Sequence, residues 1–325
     1  MAAPDNGMRI IAGRANPGLA REIADILGVP LCHTRVSTFP DSETHVQVEE
    51  SVRGKDVFIV QPTCRPVNEN LMELLITIDA CRRASARQVT AITPYFGYAR
   101  QDHKATGREP ITAKLVADTI TVAGASRVVA VDLHVPQIQG FFNIPMDHLT
   151  AVPILARYFD RPEFRNAVIV SPDVGRTKMA EKYTDILQIP MAVMTKRRKG
   201  VGGAEVEFFD IIGQVEGKTA IVIDDVMAGG STTRVVADIL EAGAAEVYMA
   251  VTHPVLVGAA VERIRTCGLK QLVVTNTVPV PSEKRAGGMI TVVSIAPLLA
   301  RVIASIHESR SVSQIFAEDN IVFPV

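Results

Sequence analysis

The sequence has few cysteines and almost no net charge, and each scarcity excludes a class of protein. The cysteines at positions 32, 64, 81 and 267 form no C-x-x-C pair, which argues against a disulfide framework or a cysteine-based zinc site. Cys81 falls on the apolar face of a predicted helix, where a reduced core thiol is expected. The formal net charge is −1, whereas proteins that bind nucleic acids or membrane surfaces usually carry a basic excess. We therefore expect no nucleic-acid partner and no membrane partner.

The chain also lacks recognisable targeting signals. No apolar run reaches membrane-spanning length, and residues 1–7 do not show the charged-then-apolar order of a signal peptide. We therefore expect the protein in the cytoplasm. Low-complexity segments are absent, and 325 residues are long for one core, so two domains of ordinary size are predicted.

What the sequence does contain is an alternation of short β-branched runs with helix-length periodic segments. Most of the runs lack polar alternation, as expected of parallel strands covered on both faces. The predicted strands are Met8–Ala12, Val57–Gln61, Val89–Thr93, Arg127–Val131, Val168–Val170, Ala220–Ile223, Glu246–Val251 and Gln271–Val274. A helix is predicted over Leu71–Ala86, with Asn70 and Glu73 in capping-box spacing at its start. The expected fold class is α/β, with mostly parallel sheets flanked by helices.

An internal similarity indicates two related halves. The segments AGASRVVAVDLH, which ends at His134, and AGAAEVYMAVTH, which ends at His253, each combine a helix end, a strand and a histidine. We read from this two similar α/β domains, residues 1–148 and 149–296, joined around residues 147–153. Ligands of open parallel sheets gather at the carboxyl ends of the strands, so the polar clusters that follow predicted strands are the candidate sites.

The strongest cluster follows the predicted strand Ala220–Ile223. Asp224 and Asp225 can hold sugar hydroxyls, directly or through a metal, and the small-residue loop that follows ends in hydroxyls at the start of a helix, a geometry that binds anions. The loop residues are Ala228, Gly229, Gly230, Ser231 and Thr232. The loop lacks the Gly-Lys-Ser/Thr of a Walker A motif, which disfavours the common NTPase interpretation. The bare pattern fits equally well an acidic strand end followed by a glycine-rich helix cap.

Four further clusters carry weaker signals. His134 is a candidate metal ligand or phosphate contact, although a lone histidine at a strand end is more often structural. Asp173 is a candidate metal carboxylate, although an aspartate in a turn more commonly accepts backbone N–H bonds. The segment KRRKGVGG, residues 196–203, predicts a mobile basic loop that could neutralise phosphates, or else a solvated loop. Residues 39–43 and 98–104 are polar loops that could contact a nucleobase and phosphate.

Taken together, these clusters resemble the ribose-phosphate diphosphokinase (phosphoribosyl diphosphate synthetase) family over essentially the whole chain. The similarity lies in DLHVPQIQGFFNIPMD at residues 132–147 and in ESVRGKDVFIVQPT, NENLMELLITIDA, PYFGYARQD and VTNTVP. The resemblance implies transfer of the β,γ-diphosphoryl group of ATP to the 1-hydroxyl of ribose 5-phosphate, giving phosphoribosyl diphosphate and AMP for nucleotide biosynthesis. It also implies Mg²⁺ as cofactor, two similar phosphoribosyltransferase-like domains with the active site between them, and a homo-oligomer, commonly a hexamer.

The resemblance also implies which substrate each domain binds and which residues bind it. Residues 1–148 would form the ATP-binding side, with a C-terminal helix at about 297–306 packing back on it, and residues 149–296 would bind ribose 5-phosphate. The implied ATP contacts are Phe39, Asp41, Glu43, Arg100 and Gln101. The implied metal ligands are His134 and Asp173, and the implied catalytic cations are Lys196 and Arg198. Asp224 and Asp225 would hold the ribose hydroxyls, and residues 228–232 would form the 5-phosphate loop.

The chain departs from the family at a few informative positions. Ala228 stands where a third aspartate is usual, and Ser42 replaces a glycine. Arg176 and Met179 replace a more common glycine and arginine. These differences bear on donor choice and regulation more than on the reaction.

Two other functional classes compete with this interpretation. A non-catalytic regulatory subunit of the same family should show damage in the Lys-x-Arg segment or at the metal positions, and all four of those residues are present. A phosphoribosyltransferase shares the strand-Asp-Asp loop but would not need the segments around Phe39 and Arg100.

Overall fold

The computed structural model describes residues 7–201 and 204–318, which form two compact units. Within the described residues, unit 1 contains residues 7–150, 277–279 and 294–318, and unit 2 contains residues 151–276 and 280–293 without residues 202–203.

The strands and helices alternate along the chain. The strands are β1 (Met8–Ala12), β2 (Thr34–Thr38), β3 (Thr44–Val48), β4 (Asp56–Val60), β5 (Gln88–Thr93), β6 (Arg127–Val131), β7 (Met146–Leu149), β8 (Ala167–Ser171), β9 (Met191–Val201), β10 (Ala204–Ile212), β11 (Thr219–Met227), β12 (Glu246–Pro254), β13 (Gln271–Thr275) and β14 (Ile290–Val293). The helices are α1 (Pro17–Leu27), α2 (Val67–Arg83), α3 (Thr112–Ala123), α4 (Val152–Phe159), α5 (Thr177–Leu187), α6 (Arg234–Glu241), α7 (Ala260–Thr266), α8 (Ala296–His307) and α9 (Ser313–Glu318).

Unit 1 is built on a five-stranded parallel sheet with the order β1-β4-β5-β6-β7. Strand β4 is buried along its whole length, because helices cover both faces of the sheet. Leu74 and Ile78 of α2 and Val116 and Ile120 of α3 pack in one apolar cluster with the sheet. Helix α8, which returns from the end of the chain, packs against α1. The antiparallel pair β2–β3 forms a separate two-stranded sheet.

Unit 2 is built on a seven-stranded sheet with the order β10-β9-β8-β11-β12-β13-β14. All neighbouring pairs are parallel except β9–β10, which is antiparallel and lies at one edge. Its core divides into two clusters, and both contain alternate residues of β8, β11 and β12, as expected for the two faces of one sheet. One cluster includes α4 and α5, and the other includes α6 and α7. The α/β class with mostly parallel sheets is therefore confirmed in both units.

All eight predicted strands are present, and three differences have a physical reason. The acids Asp224 and Asp225 lie inside β11 rather than after it, because parallel pairing with β12 continues as far as Met227 and Pro254. Six strands were not predicted: β2, β3, β7, β9, β10 and β14. Of these, β2 and β3 alternate with exposed positions and β7 has four residues, so they lack a continuous apolar run. Residues 196–201 form the second half of β9, so the loop predicted there is wrong, since β10 supplies a backbone partner for that segment.

The capping box predicted for α2 is also wrong. The helix begins at Val67, and both proposed capping residues lie inside it. The side chain of Asn70 donates to the carbonyl oxygen of Cys64 over 2.8 Å. Glu73 is 2% exposed and accepts a hydrogen bond from the backbone N–H of Arg14 over 2.7 Å. Both polar side chains therefore satisfy groups outside the helix instead of its first turn.

The cysteines behave as the sequence predicts, since all four are free thiols. Burial raises the pKa of Cys32 and of Cys64 to about 11 and that of Cys81 to about 12, so these thiols are protonated and unreactive near neutral pH. Across the described residues, no helix combines the length and the apolar character that a bilayer crossing requires.

Helix α8 is attached to the sheet of unit 1 through the buried carboxylate of Asp56. Arg87 donates to this carboxylate from Nε over 2.8 Å and also from Nη2, and His307 at the end of α8 lies 2.6 Å away through Nδ1. Burial disfavours the ionised carboxyl, but the bonds from Arg87 and His307 outweigh it and hold the pKa of Asp56 below its usual value. One buried charge thus ties β4, the start of β5 and the returning helix together.

We expect Asp56→Asn to lower the free energy of unfolding by about 2 kcal/mol at pH 7, because charge-assisted bonds from Arg87 and His307 are weakened. The folded-state pKa is below the unfolded value of about 3.9, so this stabilisation is present above that pH and is lost as the pH falls through the folded-state pKa. Urea unfolding followed by circular dichroism at pH 7 and pH 3 measures the difference. Asp25→Asn, which changes an exposed carboxylate of α1, serves as the control, and an equal effect of Asp56→Asn at both pH values would contradict the assignment.

Candidate active site

The polar centre of unit 2 is the acidic pair in the carboxyl-terminal half of β11. Asp225 is 2% exposed, and its backbone N–H donates to Oδ1 of Asp224 over 2.9 Å. The hydroxyl of Thr232 donates to the other Asp224 oxygen over 3.1 Å. The pair and Thr232, in the 3-10 turn Ser231–Thr233 that follows, are therefore one hydrogen-bonded group.

The guanidinium of Arg176 contacts the carboxylates of both Asp224 and Asp225. Its Nη2 lies 2.8 Å from Oδ1 of Asp225, and its Nε lies 3.4 Å from Oδ1 of Asp224. The Arg176 side chain is 17% exposed, so this ion pair is largely withdrawn from solvent. Nothing in the sequence indicated this contact, because Arg176 lies 48 positions before Asp224 in the chain.

The local electrostatics disfavour two full negative charges at this point. Burial raises the pKa of Asp224, and the neighbouring charge of Asp225 raises it further. The positive charge of Arg176 and the hydrogen bond from Thr232 act in the opposite direction and do not cancel the increase. Asp224 therefore favours its protonated form more than an ordinary carboxyl does, and the Arg176 guanidinium is the positive charge that the pair already contacts.

The loop after β11 is held in a fixed shape. Gly230 has φ = 81°, and a Cβ there would lie 3.3 Å from the Cα of Ala260, so both the conformation and the space favour glycine. The Thr233 hydroxyl donates to the Gly230 carbonyl oxygen over 2.6 Å, and Arg263 donates to the Gly229 carbonyl oxygen. The backbone N–H of Val257 donates to the Ala228 carbonyl oxygen over 3.1 Å. The side chain of Ser231 lies outside the described part of the structure.

Asp173 stands at the end of β8 in the same unit. Its Oδ1 accepts a hydrogen bond from the backbone N–H of Arg176 over 3.1 Å, and its carbonyl oxygen accepts one from the Ser171 hydroxyl over 2.7 Å. This is the turn role that the sequence left open beside the metal role. A carboxylate has about four acceptor positions, so one capping bond leaves others for a cation.

The candidate adenine-binding segment of unit 1 is the turn between β2 and β3. The backbone N–H of Phe39 donates to the Glu43 carbonyl oxygen over 2.8 Å, and Oδ1 of Asp41 accepts from the Glu43 N–H over 3.2 Å. The Phe39 ring is 48% exposed and lies 5.5 Å from the ring of His45, centroid to centroid. Ser42 has φ = 76°, in the left-handed region that glycine adopts without strain.

The turn between β2 and β3 is held by side-chain contacts of Arg14 that no local sequence pattern predicts. Arg14 donates from Nε to the buried Glu73 carboxylate over 2.5 Å and from Nη1 to the Thr38 hydroxyl over 3.0 Å. Thr38 directly precedes Phe39, so Arg14 connects the start of the turn to α2. Because the residues concerned are 24 to 59 positions apart, only the folded chain brings them together.

The second candidate ATP segment lies between β5 and α3. Gln101 accepts a hydrogen bond from the Thr112 hydroxyl over 2.6 Å, and its carbonyl oxygen accepts one from the Ala113 N–H over 3.1 Å. Arg100, the residue before it, is exposed. Gln101 therefore fixes the loop onto the start of α3 and leaves Arg100 at the surface, where it can meet phosphate.

His134 lies after β6, in a sharply bent segment. The preceding buried Asp132 has φ = 37°, and the following residues Pro136–Phe141 form a 3-10 helix. The Leu133 backbone N–H donates to Nε2 of His148 over 2.9 Å. His134 itself is half-buried, which leaves part of its ring accessible.

Two further site predictions fall where side chains are not described. The backbones of Lys196 and Arg198 lie in β9, paired with Phe209 and Glu207 of β10, but their side chains lie outside the described residues.

The described residues contain no group of three or more His, Cys, Asp or Glu side chains placed to enclose a metal ion. Mg²⁺ typically takes one or two carboxylates together with substrate phosphates and water rather than a protein cage. The exposed carboxylate of Asp173 suits that mode of binding. Imidazole is less usual for Mg²⁺, so the fit of His134 is weaker than that of Asp173.

Comparisons with known proteins identify relatives for both halves of the chain. Residues 8–124 match the family described as "N-terminal domain of ribose phosphate pyrophosphokinase". Residues 199–317 match the family described as "Phosphoribosyl synthetase-associated domain".

Individual relatives are similar over almost the whole chain. A "Ribose-phosphate pyrophosphokinase" of Caldanaerobacter subterraneus subsp. tengcongensis is 51% identical over 97% of this chain and 100% of its own length. One from Bacillus subtilis is 51% identical over 96% of this chain and 98% of its own. The solved structure of a phosphoribosylpyrophosphate synthetase from Mycobacterium smegmatis is 44% identical, with a TM-score of 0.87 over 93% of this chain and 99% of that one.

We expect Asp224→Asn to stabilise the protein relative to the wild type increasingly as the pH rises. The wild-type Asp224 pKa is raised in the folded state, so the folded chain holds a proton that the unfolded chain has lost, and stability falls as the pH rises above the unfolded value of about 3.9. The isosteric amide carries no such proton. Melting temperatures measured by circular dichroism at pH 5.5 and pH 8.5 should show a larger gain at pH 8.5. The exposed variant Asp185→Asn is the control, and a gain for Asp224→Asn that does not change with pH would contradict the raised pKa.

Proposed function

This chain belongs to the ribose-phosphate pyrophosphokinase family, and from that premise we propose which of its residues carry out the reaction. The chain is a ribose-phosphate diphosphokinase, a transferase that moves the β,γ-diphosphoryl group of ATP to the 1-hydroxyl of ribose 5-phosphate. The products are phosphoribosyl diphosphate and AMP, and the reaction supplies nucleotide biosynthesis.

The observation that best supports the assignment of the sugar site is the arrangement at the end of β11. Asp224 and Asp225 accept the ribose hydroxyls, because carboxylates largely withdrawn from water are strong acceptors for neutral donors. The loop from Ala228 to Thr232 takes the 5-phosphate, since its glycines leave the backbone open and it leads into α6. The fixed shape of the loop supports this role, because a preformed anion site loses little conformational freedom on binding.

The nucleotide is assigned to unit 1. The exposed ring of Phe39 stacks on adenine, and Asp41 and Glu43 accept from its exocyclic amine. Arg100 contacts the phosphates and Gln101 holds the loop that carries it. The anchoring of the turn through Arg14 supports this assignment, since a ring that is held in place is a better stacking surface than a mobile one.

The chemistry requires alignment and charge neutralisation more than covalent catalysis. The 1-hydroxyl of the sugar attacks the β-phosphorus and AMP leaves. Lys196 and Arg198 are assigned to the phosphoryl oxygens, where negative charge accumulates in the transition state. Their place in a strand rather than a loop means that the backbone supporting these two cations is hydrogen-bonded to β10.

We assign Mg²⁺ as the cofactor, with Asp173 and His134 as its protein ligands. When bound, Mg²⁺ would neutralise and orient the phosphate oxygens of ATP. Asp173 supports this assignment best, because its carboxylate is exposed and fixed by its own backbone bonds. The reaction is placed in the cytoplasm, where free thiols such as the four in this chain persist, and cell fractionation tests that placement.

We also propose a homo-oligomer, with a hexamer as the expected size. Helix α3 supports this, because Leu115 is 59% exposed and Val122 is 81% exposed. These two residues are seven positions apart and so lie on the same face of the helix. Exposed apolar stripes of this kind commonly mark contacts between chains.

We expect the wild-type enzyme to release AMP from ATP only when ribose 5-phosphate and Mg²⁺ are both present. Lys196→Ala should reduce this rate about 10²–10⁴-fold, because one cation is removed from the transition state. Chromatographic measurement of AMP tests both statements, and Lys199→Ala, in the same strand, is the matched control. If the wild type releases no AMP at any phosphate concentration, the chain is instead a non-catalytic subunit.

We expect light scattering to give a mass about six times that of one chain for the wild type. The double variant Leu115→Lys/Val122→Lys should form smaller species, because two charges are placed in an apolar contact. Ile26→Lys, at another exposed apolar position on α1, is the control. A monomeric wild type would refute the oligomer, and an unchanged double variant would refute the role of α3.

A further inference from the structure

The acidic pair of the proposed sugar site has a cation of its own. Asp224 and Asp225 follow one another in β11, and Arg176 lies 3.4 Å from Oδ1 of Asp224 and 2.8 Å from Oδ1 of Asp225. The Arg176 side chain is only 17% exposed, so the positive charge is held at the pair and is not a solvated surface charge.

Arg176 is held on the acidic pair by the local structure as well as by charge. Its backbone N–H is bound by the carboxylate of Asp173, which caps the 3-10 turn Val174–Arg176 between β8 and α5. The carbonyl oxygen of Asp173 is in turn bound by the hydroxyl of Ser171, the last residue of β8. Strand β8 is hydrogen-bonded to β11, so the turn that carries Arg176 and the strand that carries the acids are parts of one rigid sheet.

A purely structural ion pair explains this arrangement less well. Ion pairs withdrawn from water contribute little net stability, since desolvation offsets the attraction. The guanidinium also lies where it matters for binding, because the carboxylate that it contacts at 3.4 Å, that of Asp224, also accepts from Thr232 of the proposed phosphate loop. An adjacent pair of carboxylates without such a cation is a ready ligand set for a divalent ion.

We infer that Arg176 is a positioning residue of the sugar site, and that its guanidinium serves as the built-in counter-ion of Asp224 and Asp225 in place of a divalent cation. Arg176 holds the two carboxylates in place before substrate arrives. The pair then receives the sugar hydroxyls directly. A divalent cation is needed for the nucleotide phosphates and not at this pair. The part of this inference that concerns the sugar rests on the proposed function, whereas the part that concerns cation binding does not.

The first experiment counts Mn²⁺ ions bound to the full-length, nucleotide-free protein by electron paramagnetic resonance. The single variant Asp225→Asn should bind as many Mn²⁺ ions as the wild type, because Asp224 and Asp225 hold no Mn²⁺ while Arg176 is present. Arg176→Gln should gain one Mn²⁺ per chain, bound on the order of tenfold or more tightly than any Mn²⁺ at the wild-type pair, since a nearby positive charge has been removed. The gained ion should be lost again in Arg176→Gln/Asp225→Asn.

The matched variants distinguish the loss of the positive charge at position 176 from general damage to the fold. Arg176→Lys keeps the positive charge and should keep the wild-type count, and Arg165→Gln removes an exposed arginine of the same unit and should change nothing. A wild-type Mn²⁺ ion that disappears in Asp225→Asn would overturn the inference, and that test needs no Arg176 variant to fold. An Arg176→Gln protein that is folded by circular dichroism yet gains no Mn²⁺ would overturn it equally.

The second experiment measures steady-state kinetics with ribose 5-phosphate as the varied substrate. Arg176→Gln should raise KM for ribose 5-phosphate about tenfold with kcat within about threefold of the wild type, because sugar positioning and not phosphoryl transfer is affected. High free Mg²⁺ should lower the KM of Arg176→Gln and leave that of the wild type unchanged. Arg176→Lys should recover most of the wild-type KM.

A loss in kcat alone, unaffected by Mg²⁺, would assign Arg176 a merely structural role and overturn the positioning role. The two experiments also separate this inference from the proposed function. If the wild type releases no AMP, the proposed function fails, whereas the Mn²⁺ counts still decide whether Arg176 takes the place of a cation.

Discussion

Two adjacent carboxylates near the end of β11, the half-buried Asp224 and the buried Asp225, are the constraint on which the chemistry of unit 2 depends. Asp224 and Asp225 cannot both be ionised in a desolvated strand without a partner of opposite charge. Arg176 supplies that positive charge at 2.8 Å from Asp225, and the Thr232 hydroxyl donates a hydrogen bond to Asp224. The turn after β8 and the loop after β11 are both shaped by that requirement, and both end at the place where the sugar is proposed to bind.

Unit 1 meets a similar constraint by a different arrangement. Two of its buried carboxylates, Asp56 and Glu73, each receive an arginine from a distant part of the chain. Neither pair is assigned to the reaction. The first attaches the returning helix α8 to the sheet, and the second, through Arg14, fixes the turn that presents Phe39. Buried acids therefore organise both units, but only in unit 2 do they face a proposed substrate.

Sequence patterns failed where a segment's partner lay elsewhere in the chain. Asn70 and Glu73 have the spacing of a capping box, yet both side chains bond to groups outside α2. The basic run at 196–199 has the composition of a solvated loop, yet β10 pairs with it and makes it a strand. Composition and spacing report what a segment prefers locally, and in both cases a tertiary or cross-strand contact outweighed that preference.

The sequence by itself determined the α/β class, the eight main parallel strands, the acidic pair with its glycine loop and, through a long family resemblance, the reaction. These features follow from local periodicity and from residues that are adjacent in the chain, which a linear pattern can report. Only the tertiary structure decided that Arg176 lies on Asp224 and Asp225, that Arg14 ties Glu73 to Thr38, and that His307 meets Asp56. Those contacts join residues 24 to 251 positions apart, and they exist because strand order in the sheets, which no local pattern encodes, brings the ends of distant elements together.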